Sequence, residues 1–289
     1  MAAKIIDGEK ISARLRRGIA SEVESLRESS GVTPGLAAVL VGNDPASEIY
    51  VERKTRACGE VGIRSEEVRL GAETTEGELL SVIERLNADP EVHGILVQLP
   101  LPQGINETAV LGAVSPLKDV DGFHPENMGM LMEGNPRFIS CTPYGIMEII
   151  DHLGIDVLGK DIVVIGRSNI VGKPVAAMLL NRDATVTVCH LCTKNLAAFT
   201  RGAEILIVAI GCSEFIKGDM IREGAVVIDV GLNRDGNGRI TGDVDFESAS
   251  KVCSRITPVP GGVGPMTITM LLSNTLQAAR LAVEGKGKG

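Results

Sequence analysis

Aromatic side chains are scarce in this chain of 289 residues: they make up 2% of it, and tryptophan is absent. The core must therefore be aliphatic, which is typical of parallel sheets covered by helices. No apolar run reaches the roughly 18 residues that a transmembrane helix needs, so we expect no membrane partner. The chain has no basic block and a net charge of −8, so we expect no nucleic-acid partner either.

The first residues contain no apolar signal-peptide core. We therefore expect a cytoplasmic location, in which the six cysteines are thiols. Two of them, Cys189 and Cys192, form a C-x-x-C after a strand-like segment. A redox pair is one interpretation, and we favour the other, a strand that ends with a buried cysteine before a loop that carries a second one.

The apolar pattern predicts two successive α/β units. The first unit opens with an amphipathic helix over 8–30 and continues as alternating strands and helices. Its predicted strands are 36–41, 65–70 and 94–98, and its predicted helices are 46–61, 75–87 and 107–114. A loop over 115–127 and a helix over 142–153 follow. The second unit has predicted strands at 162–165, 184–189, 204–209 and 225–229, helices at 172–181, 194–201 and 265–283, a hairpin or loop at 233–243 and a disordered C-terminal tail.

The segment 162–174 has the pattern of a nucleotide-binding turn. A β-branched strand ends at Gly166, and Gly172 opens a helix whose free N–H groups favour an anion. The match to the dinucleotide fingerprint G-x-G-x-x-G is incomplete, because Ser168 stands where its second glycine belongs. The alternative is an ordinary strand-turn-helix corner. Ligands of open parallel sheets bind beyond the carboxyl ends of the strands, so the turns at Gly166, His190, Gly211 and Gly231 should line one crevice.

Three polar residues of the first unit are candidates for chemistry. Tyr50 and Lys54 share one helix face at i and i+4, and Gln98 ends an apolar strand, where its side chain would project towards a ligand. A buried lysine can have a pKa low enough for proton transfer. The alternative is a solvated lysine beside a half-buried tyrosine.

Asp119 and Asp121 lie in the loop that follows these elements. They could bind a metal, although hard cations need more oxygen ligands than this segment offers. They could instead accept hydrogen bonds from a heterocycle, or simply be solvated.

Six segments together resemble a known family, the bifunctional methylenetetrahydrofolate dehydrogenase/cyclohydrolases. They are YVERK (50–54), GILVQLPLP (94–102), PLKDVDG (116–122), CTP (141–143), GRSNIVGKP (166–174) and PVPGGVGPMT (258–267). The resemblance extends over nearly the whole chain. It implies that methylenetetrahydrofolate gives a hydride to NADP+, and that water then opens the methenyl product to formyltetrahydrofolate.

The resemblance also assigns roles to residues. The residue matching Lys54 is the acid/base group of the water step, and that matching Gln98 hydrogen-bonds to it. Tyr50 would position the folate, and Asp121 would hold the N–H edge of the pterin. The implied NADP contacts are Gly166, Arg167, Ser168, Leu232, Thr142 and Thr267, with Arg167 facing the 2′-phosphate. Two positions depart from the family pattern: Leu191 replaces a common serine, which weakens the expectation of NADP+ over NAD+, and Cys212-Ser213 stands where a proline is usual.

The implied fold is α/β, with two α/β domains and a cleft between them. Residues 1–141 would form the folate-binding catalytic domain, completed by the C-terminal helix 265–289. Residues 142–264 would form an NADP-binding domain with a Rossmann-like parallel sheet, through which the family usually forms homodimers. The alternatives are a member with one activity or an NAD+ preference, a non-catalytic dinucleotide sensor, and a hydroxy-acid or amino-acid dehydrogenase, for which we find no carboxylate clamp with a catalytic histidine.

Overall fold

The computed structural model describes residues 3–234 and 238–286. Within these ranges the strands are β1 (Lys4–Ile5), β2 (Gly35–Val41), β3 (Arg64–Leu70), β4 (Gly94–Val97), β5 (Asp161–Ile165), β6 (Thr185–Cys189), β7 (Ile205–Val208), β8 (Val226–Asp229), β9 (Asn233–Arg234), β10 (Ile240–Thr241) and β11 (Arg255–Ile256). The helices are α1 (Gly8–Ser30), α2 (Pro45–Val61), α3 (Glu76–Ala88), α4 (Glu107–Ala113), α5 (Pro125–Met132), α6 (Cys141–His152), α7 (Gly172–Leu180), α8 (Leu196–Thr200), α9 (Phe246–Ala249) and α10 (Val263–Lys286).

The chain divides into two compact units. The six-stranded unit consists of the described residues within Met1–Ala13, Leu131–Asn135 and Thr142–Thr267. The three-stranded unit consists of those within Arg14–Met130, Pro136–Cys141 and Ile268–Gly289. Both units are α/β, as the apolar pattern predicts.

The three-stranded unit contains a parallel sheet in the order β3-β2-β4. Its central strand β2 is buried along its whole length, as expected for a strand covered on both faces. Helix α3 begins with a capping box, in which Thr75 accepts from the Glu78 N–H and the Glu78 carboxylate accepts from the Thr75 N–H. Leucine, isoleucine and valine side chains of α3, β2 and β4 pack together in an aliphatic core of the three-stranded unit.

The six-stranded unit contains a parallel sheet in the order β1-β11-β8-β7-β5-β6. After β1, which lies at one edge, the chain enters the middle of this sheet at β5, adds β6 on one side, and then continues on the other side with β7 and β8. The strand order therefore reverses between β5 and β7, and the crevice at such a switch point is where open α/β sheets bind ligands.

Most predicted elements lie within two residues of the observed ones. Three regions differ. Helix α5 lies partly in the predicted loop 115–127, because it is short and its apolar pattern is weak. Strands β1 and β11 have two residues each and are strands only because they pair with each other, and with β8 in the case of β11. Helix α10 continues to Lys286, so the beginning of the predicted disordered tail is helical, and the rest of that tail lies outside the described residues. Strands β9 and β10 pair antiparallel, in agreement with the hairpin or loop predicted at 233–243.

The described ranges hold no helix with the length and apolarity to cross a bilayer. They also hold no group of three acidic, histidine or cysteine side chains arranged to bind a metal ion. All six cysteines are free thiols, of which Cys192 is exposed and Cys212 partly exposed, while the other four are buried. Burial raises the pKa of each of those four thiols, that of Cys58 to about 12.

Candidate active site

Helix α2 carries two of the predicted site residues. Asp44 caps the helix by accepting from the Ser47 N–H at 2.8 Å, and Pro45 occupies the first turn, where its missing N–H costs nothing. Tyr50 and Lys54 lie one turn apart and both are partly buried.

Gln98 follows β4 directly and meets Lys54. The Lys54 Nζ donates to the Gln98 Oε1 at 3.0 Å. The Gln98 Nε2 donates to the Leu99 carbonyl at 2.6 Å, and the Gln98 backbone N–H donates to the Val39 carbonyl. Because the amide nitrogen is already committed to Leu99, the amide oxygen faces the ammonium. Helix α2 and strand β4 thus present one lysine with a fixed acceptor.

The loop after α4 contains the charged residues Lys118, Asp119 and Asp121. The first two support the loop itself, and the third is a predicted site residue. The Lys118 Nζ donates to the Leu86 and Asp89 carbonyls at the end of α3. The buried Asp119 carboxylate accepts from the backbone of Phe123 and His124 and from the Asn127 amide. Lys118 and Asp119 therefore hold the loop in shape through these hydrogen bonds.

Asp121 is the second acid of the same loop. The residue keeps partial exposure, yet its carboxyl is enclosed, and burial raises the pKa of Asp121 to about 6. The Lys54 ammonium lowers that pKa and the Asp119 carboxylate raises it. The Cys141 Sγ donates weakly to the Asp121 Oδ1 at 3.8 Å. The three-stranded unit contains all four predicted site residues, Tyr50, Lys54, Gln98 and Asp121. The charges of Lys54 and Asp121 interact with each other.

Sequence reasoning missed one supporting residue, Asn274 of α10. Its buried Nδ2 donates to the carbonyls of Val120 and Ile139, each at 2.8 Å, and it also contacts the Cys141 Sγ at 3.7 Å. These contacts fix the backbone immediately before Asp121. An asparagine within an apolar helix is the only signal for this role in the sequence, and that signal does not identify the partners.

Two glycines shape the turn after β5 in the six-stranded unit. Gly166 has a φ of +138°, and a Cβ there would lie 2.3 Å from the Ala209 carbonyl oxygen. A Cβ on Gly172 would lie 2.1 Å from the Gly166 carbonyl oxygen. The backbone of this turn therefore packs tightly against itself and against the turn after β7. Glycines at such positions allow a backbone to approach a ligand closely.

The other predicted cofactor contacts are also in the six-stranded unit. Arg167 and Ser168 are exposed at the carboxyl end of β5, and the Ser168 Oγ accepts from the Val171 N–H at 3.1 Å. Leu232 is 51% exposed after β8. The hydroxyls of Thr142 and Thr267 are hydrogen-bonded at 2.9 Å. The strand-end turns carry Arg167, Ser168 and Leu232, whereas the two threonines are on helices α6 and α10.

The fold and the side chains together define a class: an α/β protein with a dinucleotide-type parallel sheet in one unit and a lysine–glutamine pair beside a carboxylate in the other. Family models refine this class. Residues 6–121 match the catalytic domain of tetrahydrofolate dehydrogenase/cyclohydrolase, and residues 140–283 match its NAD(P)-binding domain. The chain belongs to the tetrahydrofolate dehydrogenase/cyclohydrolase family, as the six sequence segments indicated.

Individual relatives extend over the same length. The bifunctional protein FolD 2 of Geobacter sulfurreducens is 58% identical over 283 residues, which are 98% of this chain and 99% of that protein. The crystal structure of FolD from Campylobacter jejuni is 50% identical with a TM-score of 0.94, covering 97% of this chain and 99% of that one. The Trypanosoma brucei FolD structure, a complex with NADP cofactor and inhibitor, is 39% identical with a TM-score of 0.93, covering 98% and 99%.

Proposed function

We propose that this chain oxidises 5,10-methylenetetrahydrofolate to 5,10-methenyltetrahydrofolate with NADP+ and then hydrolyses that product to 10-formyltetrahydrofolate. The 3.0 Å hydrogen bond between Lys54 and Gln98 carries the proposal. It fixes an acid/base group within the region that matches the family's catalytic domain. The match of residues 140–283 to the NAD(P)-binding domain supports the oxidative step.

Asp121 and Tyr50 are proposed to bind the folate. A pterin ring presents N–H donors along one edge, and a carboxylate is the acceptor that suits them. Asp121 is held for this purpose by the Asn274 and Cys141 contacts. Tyr50, one helical turn before Lys54, offers a flat ring against which the substrate can pack.

The turns at the carboxyl ends of β5 and β8 are proposed to hold the dinucleotide. The cradle fits, because Gly166 and Gly172 leave no room for a side chain at the switch point of the sheet. Arg167 would pair with a 2′-phosphate, Ser168 and the backbone at Leu232 would contact the nucleotide, and Thr142 and Thr267 would complete the set. When bound, NADP+ supplies the hydride acceptor, so the protein has to align the reacting rings and needs no nucleophile of its own.

Lys54 is proposed to be the acid/base group of the hydrolytic step. Water adds its oxygen to the methenyl carbon, and Lys54 in its uncharged amine form takes up the proton that this addition releases. The resulting hydroxyl group then loses its proton to form the formyl C=O as the C–N5 bond breaks and N5 takes up a proton. The formyl group stays on N10, and the hydrolysis releases one proton overall. Gln98 keeps the Lys54 Nζ in place through the 3.0 Å hydrogen bond.

The proposed activity has a direct assay. Purified protein with methylenetetrahydrofolate should reduce NADP+, with parallel NAD+ reactions to measure the cofactor preference that Leu191 leaves open. Methenyltetrahydrofolate should be hydrolysed in the absence of nucleotide. Folded protein that produces no reduced nicotinamide absorbance from fresh substrate would contradict the oxidative half of the proposal.

We predict that folate use depends on the ionisation of Asp121. The carboxylate form accepts the pterin N–H groups, so kcat/KM for methylenetetrahydrofolate should fall about tenfold per pH unit below a pKa of about 6. Stability should change in the opposite sense. The folded pKa exceeds the unfolded value of 3.8, so the favourable contribution of Asp121 to folding is complete below pH 3.8 and is lost as the pH rises through 6.

The variant Asp121→Asn separates these two effects. It should weaken folate use at neutral pH, remove the step near pH 6 and raise the melting temperature at pH 7, because no charge is then buried. Initial rates from pH 5 to 8, with formaldehyde in excess to keep the substrate intact, check the first two points. An unchanged pH step in the variant would assign that step to another group.

Three further features of the chain stay proposals. We propose that residues 1–141, completed by the C-terminal residues 265–289, act as the folate-binding catalytic domain, and that 142–264 act as the NADP-binding domain. The active form is a homodimer, for which the open edge of β6, with Val188 43% exposed, offers a surface. Sedimentation should then give twice the chain mass of 30.4 kDa.

A cytoplasmic location is proposed as well, and the six free thiols agree with it.

A further inference from the structure

The turn after β7, residues 209–213, lies on the switch-point side of the six-stranded sheet. It contacts the Gly166 turn, because the Ala209 N–H donates to the Ile165 carbonyl and the Ala209 carbonyl oxygen lies 2.3 Å from the position that a Cβ on Gly166 would take. The sequence departs from its family here, with Cys212-Ser213 at the position of a usual proline. Something other than proline must therefore hold this turn.

Asp243 provides the main restraint. The residue is completely buried, and its Oδ2 accepts from the N–H groups of both Ile210 and Gly211, at 2.7 and 3.0 Å. Its Oδ1 accepts from the Asn233 amide at 2.9 Å. Asn233 directly follows Leu232, so one carboxylate joins the turn after β7 to the turn after β8.

Hydrogen bonds of Ser213 and Glu214 explain how this turn is restrained without the usual proline. The Ser213 Oγ and the Thr241 Oγ1 are hydrogen-bonded at 2.7 Å, and the Glu214 N–H donates to the Gly242 carbonyl. The turn after β7 is thus tied to the strand that leads into Asp243. A hydrogen bond restrains the backbone here, whereas a proline would restrain it through its ring.

Asp229 also restrains the same region. Its carboxylate accepts from the N–H groups of Gly231, Asp243 and Val244, and it is 3% exposed. Burial raises the pKa of Asp229 to about 7, and those three N–H groups work against the rise. Removing Asp229 would leave three buried donors without an acceptor, so we expect a folding defect from its variants. Asp243 is the better position at which to separate binding from folding.

We propose that Asp243 is a positioning residue for the dinucleotide, assisted by Ser213, because it holds the turns after β7 and β8 in one arrangement at the switch point. The inference rests on the proposed NADP-dependent activity. It assigns cofactor recognition in part to a side chain that is too deeply buried to touch the cofactor.

The variant Asp243→Asn tests this role. An amide has one acceptor oxygen, so its NH2 group must face either the Ile210 and Gly211 donors or the Asn233 donor. We expect the Kd and KM for NADP+ to rise about tenfold, the equivalent of one unsatisfied buried donor. Hydrolysis of methenyltetrahydrofolate needs no nucleotide and uses residues of the three-stranded unit, so its rate should stay within twofold. Ser213→Ala should raise the Kd about threefold, the effect of one net hydrogen bond.

Asp245→Asn is the matched control. This residue lies two positions away and caps α9 through its Oδ1, a contact that an amide oxygen can also make. The NADP+ affinity of the Asp245→Asn variant should equal that of the wild type. Equal Kd values for all variants, or a parallel fall of both activities in Asp243→Asn, would overturn the positioning role. If Asp243→Asn fails to fold, the Kd of Ser213→Ala for NADP+ tests the role: a threefold rise supports it, and an unchanged Kd overturns it.

Calorimetry of NADP+ binding separates this inference from the proposed function. Wild-type protein that binds NADP+ but transfers no hydride would refute the function, and the variant Kd values would still decide the role of Asp243. Wild-type protein that binds no NADP+ would refute both.

Discussion

Lys54→Met should lower the rate of methenyltetrahydrofolate hydrolysis by about 10²- to 10⁴-fold, the range that a positioned acid/base group contributes. Methionine has nearly the length of lysine and is a good helix former, so α2 should persist. The Gln98 oxygen would lose its 3.0 Å donor, but Gln98 is partly exposed and water can replace the ammonium. Stability should therefore change little, and the loss should appear in kcat.

Arg53→Met is the control for this variant. Arg53 precedes Lys54 on the same helix and is exposed, so the substitution removes the same charge without touching Gln98. It should hydrolyse methenyltetrahydrofolate at the wild-type rate. Stopped-flow loss of methenyl absorbance, corrected for the spontaneous reaction, measures both variants. Hydrolysis by Lys54→Met at even a third of the wild-type rate would remove Lys54 from the acid/base role.

Gly172→Ala should reduce the dehydrogenase rate about 100-fold, because displacing the turn after β5 by about 1 Å misplaces the cofactor. The new Cβ would lie 2.1 Å from the Gly166 carbonyl oxygen, a backbone atom that cannot rotate away. Either the Gly166 turn or the start of α7 must move. Hydrolysis of the methenyl substrate should persist, since its proposed residues belong to the three-stranded unit.

Gly18→Ala is the appropriate comparison. Gly18 is also helical, but a Cβ there meets no atom within 4 Å, so the substitution should stabilise the protein slightly and leave both rates unchanged. Steady-state rates at saturating folate, with NADP+ titrated, distinguish the two variants. A Gly172→Ala protein with normal NADP+ kinetics would show that the turn tolerates displacement.

Local pattern was sufficient to predict most of the fold. Strands β2 and β4 to β8 are continuous apolar or alternating runs, and their ends are marked by glycine or polar residues, so their positions could be predicted from local pattern alone. Strand β3 is mostly polar, and only Val68 and Leu70 in it are apolar. Strands β1 and β11 could not be predicted, because two residues carry no periodicity and their pairing joins residues about 250 positions apart. Helix α5 begins at Pro125 inside a polar loop, and its position could not be predicted because it has the same lack of periodicity.

The site was predictable only in part. Lys54 and Gln98 could be singled out, one by helical spacing and the other by its place at a strand end, and the structure brings them together. The supporting residues could not be identified in this way. Asn274 reaches Val120 across 154 positions, and Asp243 reaches Ile210 across 33. Such contacts depend on tertiary packing, for which a single sequence holds no local signal.

The distribution of the thiols makes the protein convenient to label. Four of the six cysteines are buried with raised pKa values, so a maleimide dye at neutral pH should react first with the exposed Cys192 and more slowly with Cys212. Both belong to turns at the carboxyl edge of the six-stranded sheet. The natural chain therefore offers a fluorescent reporter of dinucleotide occupancy without the removal of any native cysteine.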